Sequence, residues 1–193
     1  MNIIKGVRNL INKWFAKEHR GHILDLIPEG SVCAEIGVWR GDFSKKMLKR
    51  KPAKLHLIDP WLYIPDYKDR IYGNTNNNNQ ERMDRIYQAV CDEFAKSPAV
   101  IIHRTMSDVA VNEFPNDYFD LIYIDGNHSY EYVKNDIELY LPKMKVGTYV
   151  TGDDYLFDRC PNGGPKRAVD EIVAEGKVRL ISIINNQFIL QKI

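Results

Sequence analysis

Residues Phe119–Tyr155 constrain the fold of this chain more than any other stretch. Two apolar runs, Leu121–Ile124 and Thr148–Thr151, each end in carboxylates: Asp125 after the first, and Asp153 and Asp154 after Gly152 in the second. Between them lies a helix-length segment, Tyr130–Leu141, closed by Pro142 and Gly147. A buried strand, a crossover helix and a second parallel strand produce this pattern. A right-handed crossover brings both strands to finish at one rim of the sheet, the rim where open α/β sheets bind ligands. Three carboxylates gathered there, with His128 three residues past Asp125, have the make-up of a small site for a hard divalent cation with a base beside it.

The rest of the chain predicts an alternating α/β order. Strands are expected at Ser31–Ile36, Lys54–Asp59 and Val100–His103, and helices at Gly41–Arg50, Glu81–Ala95, Asp108–Glu113 and Lys166–Glu175. Val178–Ile184 and Gln187–Gln191, joined at Asn185-Asn186, read as a closing antiparallel hairpin. The expected fold is therefore α/β, a Rossmann-like, seven-stranded, mostly parallel sheet with helices on both faces. Residues 1–27 form a separate amphipathic segment and residues 28–193 a single domain. Pro60–Gln80 carries two prolines, Gly73 and an asparagine run, the composition of a mobile surface loop. Because this segment leaves the carboxyl end of the second strand, its Asn-rich part, Gly73–Gln80, is expected to be part of a lid over the acceptor site.

The 27 basic and 26 acidic residues nearly cancel, which argues against a nucleic-acid surface. Charge is unevenly placed: Met1–Arg20 holds five basic residues against Glu18 alone, on a helix whose other face carries Ile3, Ile4, Val7, Leu10, Ile11, Trp14 and Phe15. Such a stripe docks on its own domain or pairs with a second copy, and contact with an anionic membrane is the lesser reading. No apolar run has the roughly 20 residues of a membrane span. Cys33, Cys91 and Cys160 form no CxxC spacing, and the expectation is a cytoplasmic protein with reduced thiols. Cys33 falls in a buried strand as a small core residue.

The first strand-to-helix turn is AEIGVWRGDFS, Ala34–Ser44. Gly37 allows a tight turn and Gly41 lets the helix begin close under a ligand. A dinucleotide site would have GxGxxG, but Trp39 and Asp42 occupy two of its glycine positions and Glu35 adds negative charge. That carboxylate suits a cationic group, an amine or a sulfonium. Asp59, ending the second strand, is placed to accept two ribose hydroxyls, although an acid before Pro60 also serves as a turn residue.

The order of strands, the Glu-x-Gly-x-x-x-Gly turn and the acids ending strands two and four resemble class I S-adenosylmethionine-dependent methyltransferases. Glu35, Gly37, Gly41 and Ser44 together with Asp125, Asp153 and Asp154 are most similar to the metal-dependent O-methyltransferases of the catechol and macrocin types. Asp at 154 and His128, where catechol enzymes have Asn and Lys, lean toward the macrocin type. The resemblance implies that Glu35, Gly37, Gly41, Ser44, Asp59, Met106, Ser107 and Asp125 contact S-adenosylmethionine. It further implies that Asp125, Asp153 and Asp154 hold Mg²⁺ or another hard divalent ion, and that His128 is the general base for a hydroxyl of a small acceptor, such as a sugar, glycosylated metabolite or vicinal diol. Two other classes stay open from the residues: a Rossmann-type oxidoreductase, and a non-catalytic cofactor-binding protein. His56 and His103 are expected to be satisfied structural residues. Lys166 and Arg167 are read equally as contacts to an anionic substrate group and as a solvated helix start.

Overall fold

A computed structural model of the chain describes residues 20–64, 79–156 and 163–193. Most of the amphipathic N-terminal segment, residues 65–78 of the expected loop with most of its lid part, and Cys160 lie outside them. The described elements run β1 (Val32–Ile36), α2 (Asp42–Leu48), β2 (Lys54–Ile58), α3 (Gln80–Phe94), β3 (Val100–His103), α4 (Ser107–Ala110), β4 (Phe119–Ile124), α5 (Tyr130–Tyr140), β5 (Met144–Gly152), α6 (Gly164–Ala174), β6 (Val178–Ile184) and β7 (Gln187–Lys192), preceded by a single turn, α1 (Gly21–Leu24). They form one seven-stranded sheet in the order β3-β2-β1-β4-β5-β7-β6. The first five strands are parallel and β7 is antiparallel to both its neighbours.

The central strands are apolar on both faces because both faces are covered. One face packs Ala34, Ile36, Ile122 and Ile124 against α4, α5 and α6. The other packs Cys33, Leu55, Leu57 and Tyr123 against α1, α2 and α3. On α3 the buried positions are Met83, Ile86, Val90 and Phe94, the stripe of an amphipathic helix. Asn79 caps that helix by accepting from the Arg82 N–H at 2.8 Å. Asn185 and Asn186, both at positive φ, turn the β6–β7 hairpin as their sequence suggests.

Three local expectations are corrected. Gly147 does not precede the fifth strand but lies within it, at φ +81°, where the pairing with β4 shifts register. A bulge there needs the left-handed backbone that glycine provides. The segment after β2 starts as core, not as loose loop: Trp61 is fully buried, donates from Nε1 to the Trp39 carbonyl at 2.9 Å and packs on Tyr87. Gln80 then ties the two ends of that segment, accepting from the Tyr63 N–H and donating to the Trp61 carbonyl, each at 3.0 Å. The Asp108–Glu113 helix is a single α turn followed by a 3₁₀ turn.

Candidate active site at the carboxyl rim

Backbone hydrogen bonding continues one step beyond the strands and fixes the acids that follow them. Gly37 N–H donates to Ile58, Asp59 to His103, Asp125 to Ile36 and Asp153 to Ile124, all at 2.7–3.2 Å. Strand parity then decides which side chains meet. Glu35 pairs with Tyr123, and Tyr123 with Thr151, on the α1–α3 face. Asp125 and Asp153 come two positions after Tyr123 and Thr151, so they share that face.

Glu35 is buried and accepts from the Ser44 hydroxyl. Burial pushes its pKa up to about 8 against the opposing Ser44 hydrogen bond. Gly37, at φ +88°, lets the first loop touch the Asp125 backbone. Gly41, at φ +72°, starts α2 against Phe94. The Asp59 carboxylate accepts three backbone N–H groups, from Val38 and Trp39 at 3.0 Å and from Trp61 at 2.7 Å. It therefore organises the Gly37–Gly41 loop from beneath. Ser107 donates its hydroxyl to Asp136 at 2.5 Å and its carbonyl accepts from the Tyr140 hydroxyl at 2.9 Å, anchoring the Met106-Ser107 corner. Asp136 is itself pushed up to about 7 by burial.

His128 stands between two carboxylates, with Nε2 3.5 Å from Asp125 Oδ1 and Nδ1 3.3 Å from Asp154 Oδ2. Burial disfavours the charged ring, but Asp125, Asp154 and Asp153 outweigh it and raise the pKa above the usual histidine value. The sequence-based picture of a ring neutral near pH 7 is thus shifted toward the protonated form.

The three expected metal ligands do not point at one centre. Asp125 and Asp153 face each other across Arg20, whose Nη1 is 2.7 Å from Asp125 Oδ2 and whose Nη2 contacts Asp153 Oδ2. Asp154, at φ +57°, turns instead toward His128 and accepts from Asn186 Nδ2 at 3.0 Å. The other oxygen of Asp153 accepts from Gln187 and from the Asp154 N–H. Among the described residues, no group of three or more His, Cys, Asp or Glu side chains is arranged to hold a metal ion. The donor set does not fit a divalent ion in this arrangement.

Arg20, Asn186 and Gln187 were not among the residues read as functional from sequence. The hairpin asparagines carried a turn signal that hid a second role. Arg20 carried none, being 133 positions from Asp153. A cleft of about 390 Å³ opens beside this cluster, lined by Arg20, Phe43, Lys46, Asp153, Asp154 and Asn186 among others. The His56 and His103 side chains are satisfied by each other at 2.9 Å, by Tyr118 at 3.2 Å and by Glu113 at 3.0 Å. Lys166 and Arg167 pair with Asp170 and Glu171 one turn along α6, the solvated-helix reading. Cys33 is buried with its thiol pushed up to about 11, a core residue. Among the described residues, no helix is long and apolar enough to cross a membrane.

Known proteins share this architecture. The O-methyltransferase TomG from Streptomyces achromogenes superposes with a TM-score of 0.64 at 13% identity, over 92% of this chain and 79% of that one. The N-methyltransferase NodS from Bradyrhizobium japonicum WM9 does so with a TM-score of 0.61 at 15% identity, over 92% and 95%. A curated relative, an uncharacterized protein of Acanthamoeba polyphaga mimivirus, is 32% identical over 145 residues, which are 73% of this chain and 58% of that protein. The chain thus spans less than two thirds of that relative's length. The family model described as a methyltransferase domain matches residues 34–155, from β1 through the acids that follow β5. The chain belongs to the methyltransferase-domain family.

Proposed function

We propose that residues 28–193 form one domain that moves a methyl group from S-adenosylmethionine to a hydroxyl of a small acceptor. The observation that most supports this is the seat of His128, between Asp125 and Asp154 at the rim, with the Asp125 backbone against Gly37. When bound, S-adenosylmethionine supplies an electrophilic methyl on a positively charged sulfur. Glu35, Gly37, Gly41 and Ser44 would hold its amino-acid end, and Asp125 its amine. Asp59 and the amides it arranges would face the ribose, and Met106 and Ser107 the adenine. The neutral form of His128 takes the hydroxyl proton as the acceptor oxygen gains the methyl and the sulfur–methyl bond breaks, and Asp125 and Asp154 keep its ring aimed and accommodate the charge. Much of the acceleration comes from holding two reactants in line. Because Asp125, Asp153 and Asp154 do not converge, no step is assigned to a divalent ion.

The test is calorimetry with S-adenosylmethionine, followed by mass spectrometry of S-adenosylhomocysteine formed with a panel of sugars, glycosides and phenols. Saturable binding and acceptor-dependent product are expected. Binding of NADH with S-adenosylmethionine ignored would instead make the domain an oxidoreductase. Binding without turnover on any acceptor would favour a non-catalytic role.

A further inference from the structure

We propose that Arg20 is the resident cation of this rim, occupying the position between Asp125 and Asp153 that a shared divalent ion would need, so that guanidinium and metal exclude each other. The position is built, not incidental. The two terminal nitrogens of Arg20 each meet a different carboxylate, Asp125 after β4 and Asp153 after β5. Charge-assisted contacts of this planar fork fix direction as well as distance. The guanidinium carbon also lies 5.4 Å from the Phe43 ring centre and 5.3 Å from that of Tyr123. Those rings come from α2 and β4, so the cation sits against two aromatic walls with two acids at its edge. Its side chain is 27% exposed, against 19% for Asp125 and 14% for Asp153.

A hard divalent ion shared by these acids would bring oxygens to about 2.0–2.6 Å from one point. The guanidinium nitrogens now take up that space. Asp154, the third expected ligand, is oriented away by its contacts to His128 and Asn186. Removing Arg20 would leave Asp125 and Asp153 facing each other with only the His128 ring, beside Asp125, as a cationic partner, a pair that attracts a cation.

The exchange has a chemical consequence, which rests on the methyl-transfer reading above. A divalent ion polarises a bound hydroxyl and can grip two neighbouring oxygens. A guanidinium offers fixed charge and hydrogen-bond donors, and it does not act as a Lewis acid. Proton removal then falls to His128, and the acceptor needs only one hydroxyl rather than a chelating pair. Arg20 is a positioning residue in this scheme, orienting Asp125, one of the two acids that hold His128.

The experiment titrates Mn²⁺ alone into the full chain and into Arg20→Ala, by calorimetry and by the electron paramagnetic resonance of the free ion. Wild-type protein is expected to show no saturable site, and Arg20→Ala to gain one, at least roughly tenfold tighter than any wild-type binding. Arg20→Lys, which keeps the charge, should still exclude the ion. In Arg20→Ala carrying Asp153→Asn the new site should disappear. A wild-type chain that binds Mn²⁺ as tightly as Arg20→Ala overturns the proposal, as does a folded Arg20→Ala that binds none. Should Arg20→Ala fail to fold, the wild-type titration and Arg20→Lys still decide the matter: saturable binding to either sinks it. Loss of methyl transfer in EDTA, restored by Mg²⁺, would overturn it as well. Ion binding is read without turnover, so a chain that transfers no methyl group would refute the proposed reaction and leave this result standing.

Discussion

Gly37 meets Asp125 backbone to backbone: a Cβ at Gly37 would fall on the Asp125 carbonyl and on the Cα of Gly126. The loops after β1 and β4 therefore touch at the centre of the rim, where the strand order reverses. Gly37→Ala should cost roughly 2–4 kcal/mol, combining a positive φ of +88° with a clash against main chain that has nowhere to move. Urea denaturation measures it. A loss within about 1 kcal/mol, the ordinary penalty for leaving glycine at such a φ, would mean that the two loops separate easily.

Asp59 tests whether an acid at a strand end serves the ligand or the loop. Its carboxylate accepts the Val38, Trp39 and Trp61 N–H groups and is buried. Asp59→Ala leaves those donors without their acceptor and should destabilise the fold by roughly 2–4 kcal/mol. It should also weaken S-adenosylmethionine binding, because the loop loses its shape. Unchanged thermal stability alongside weaker cofactor binding would point to direct ribose contact alone.

His128→Ala should lower turnover by roughly 10²–10⁴-fold, the usual contribution of a positioned general base. Cofactor affinity, measured by calorimetry, should change little, since the proposed cofactor contacts lie mainly on the β1 and β2 loops. A variant retaining near-full turnover would remove His128 from the mechanism.

The His56 cluster should make stability depend on acid. Burial first, then the His103 and Lys54 charges, hold the His56 pKa down to about 4. Its neighbours are His103, Tyr118, Phe114 and Phe119, with Glu113 beyond His103. An unfolded histidine takes its proton near pH 6.5. Between about pH 6.5 and 4 the unfolded chain therefore binds more protons, and folding stability falls as pH drops through that window. The loss attributable to this ring is roughly 1–3 kcal/mol. Urea midpoints at several pH values, compared with His56→Gln, check it: the variant should lose less on acidification. Parallel curves would show that His56 is not the titrating group.

The fold was legible because its signals are local and repetitive. The apolar runs of β1, β2 and β4, the stripe of α3 and the Asn185-Asn186 turn each depend on residues within a few positions of one another, and hydrophobic periodicity records them directly. The rim acids were legible for a related reason. Asp59, Asp125 and Asp153 each follow a parallel strand, and parallel topology alone gathers such ends. What those acids do once gathered depends on groups brought from elsewhere in the chain. Asp59 turned to the amides of the Gly37–Gly41 loop, Asp154 turned away on a left-handed backbone, and Arg20 crossed 133 positions to stand beside Asp153. A carboxylate takes whichever partner lies within reach of its oxygens, and reach is a property of the packed sheet and its covering elements. The sequence alone determined the strands, the helices and the acidic rim, whereas the tertiary structure alone decided which cation and which donors those acids face.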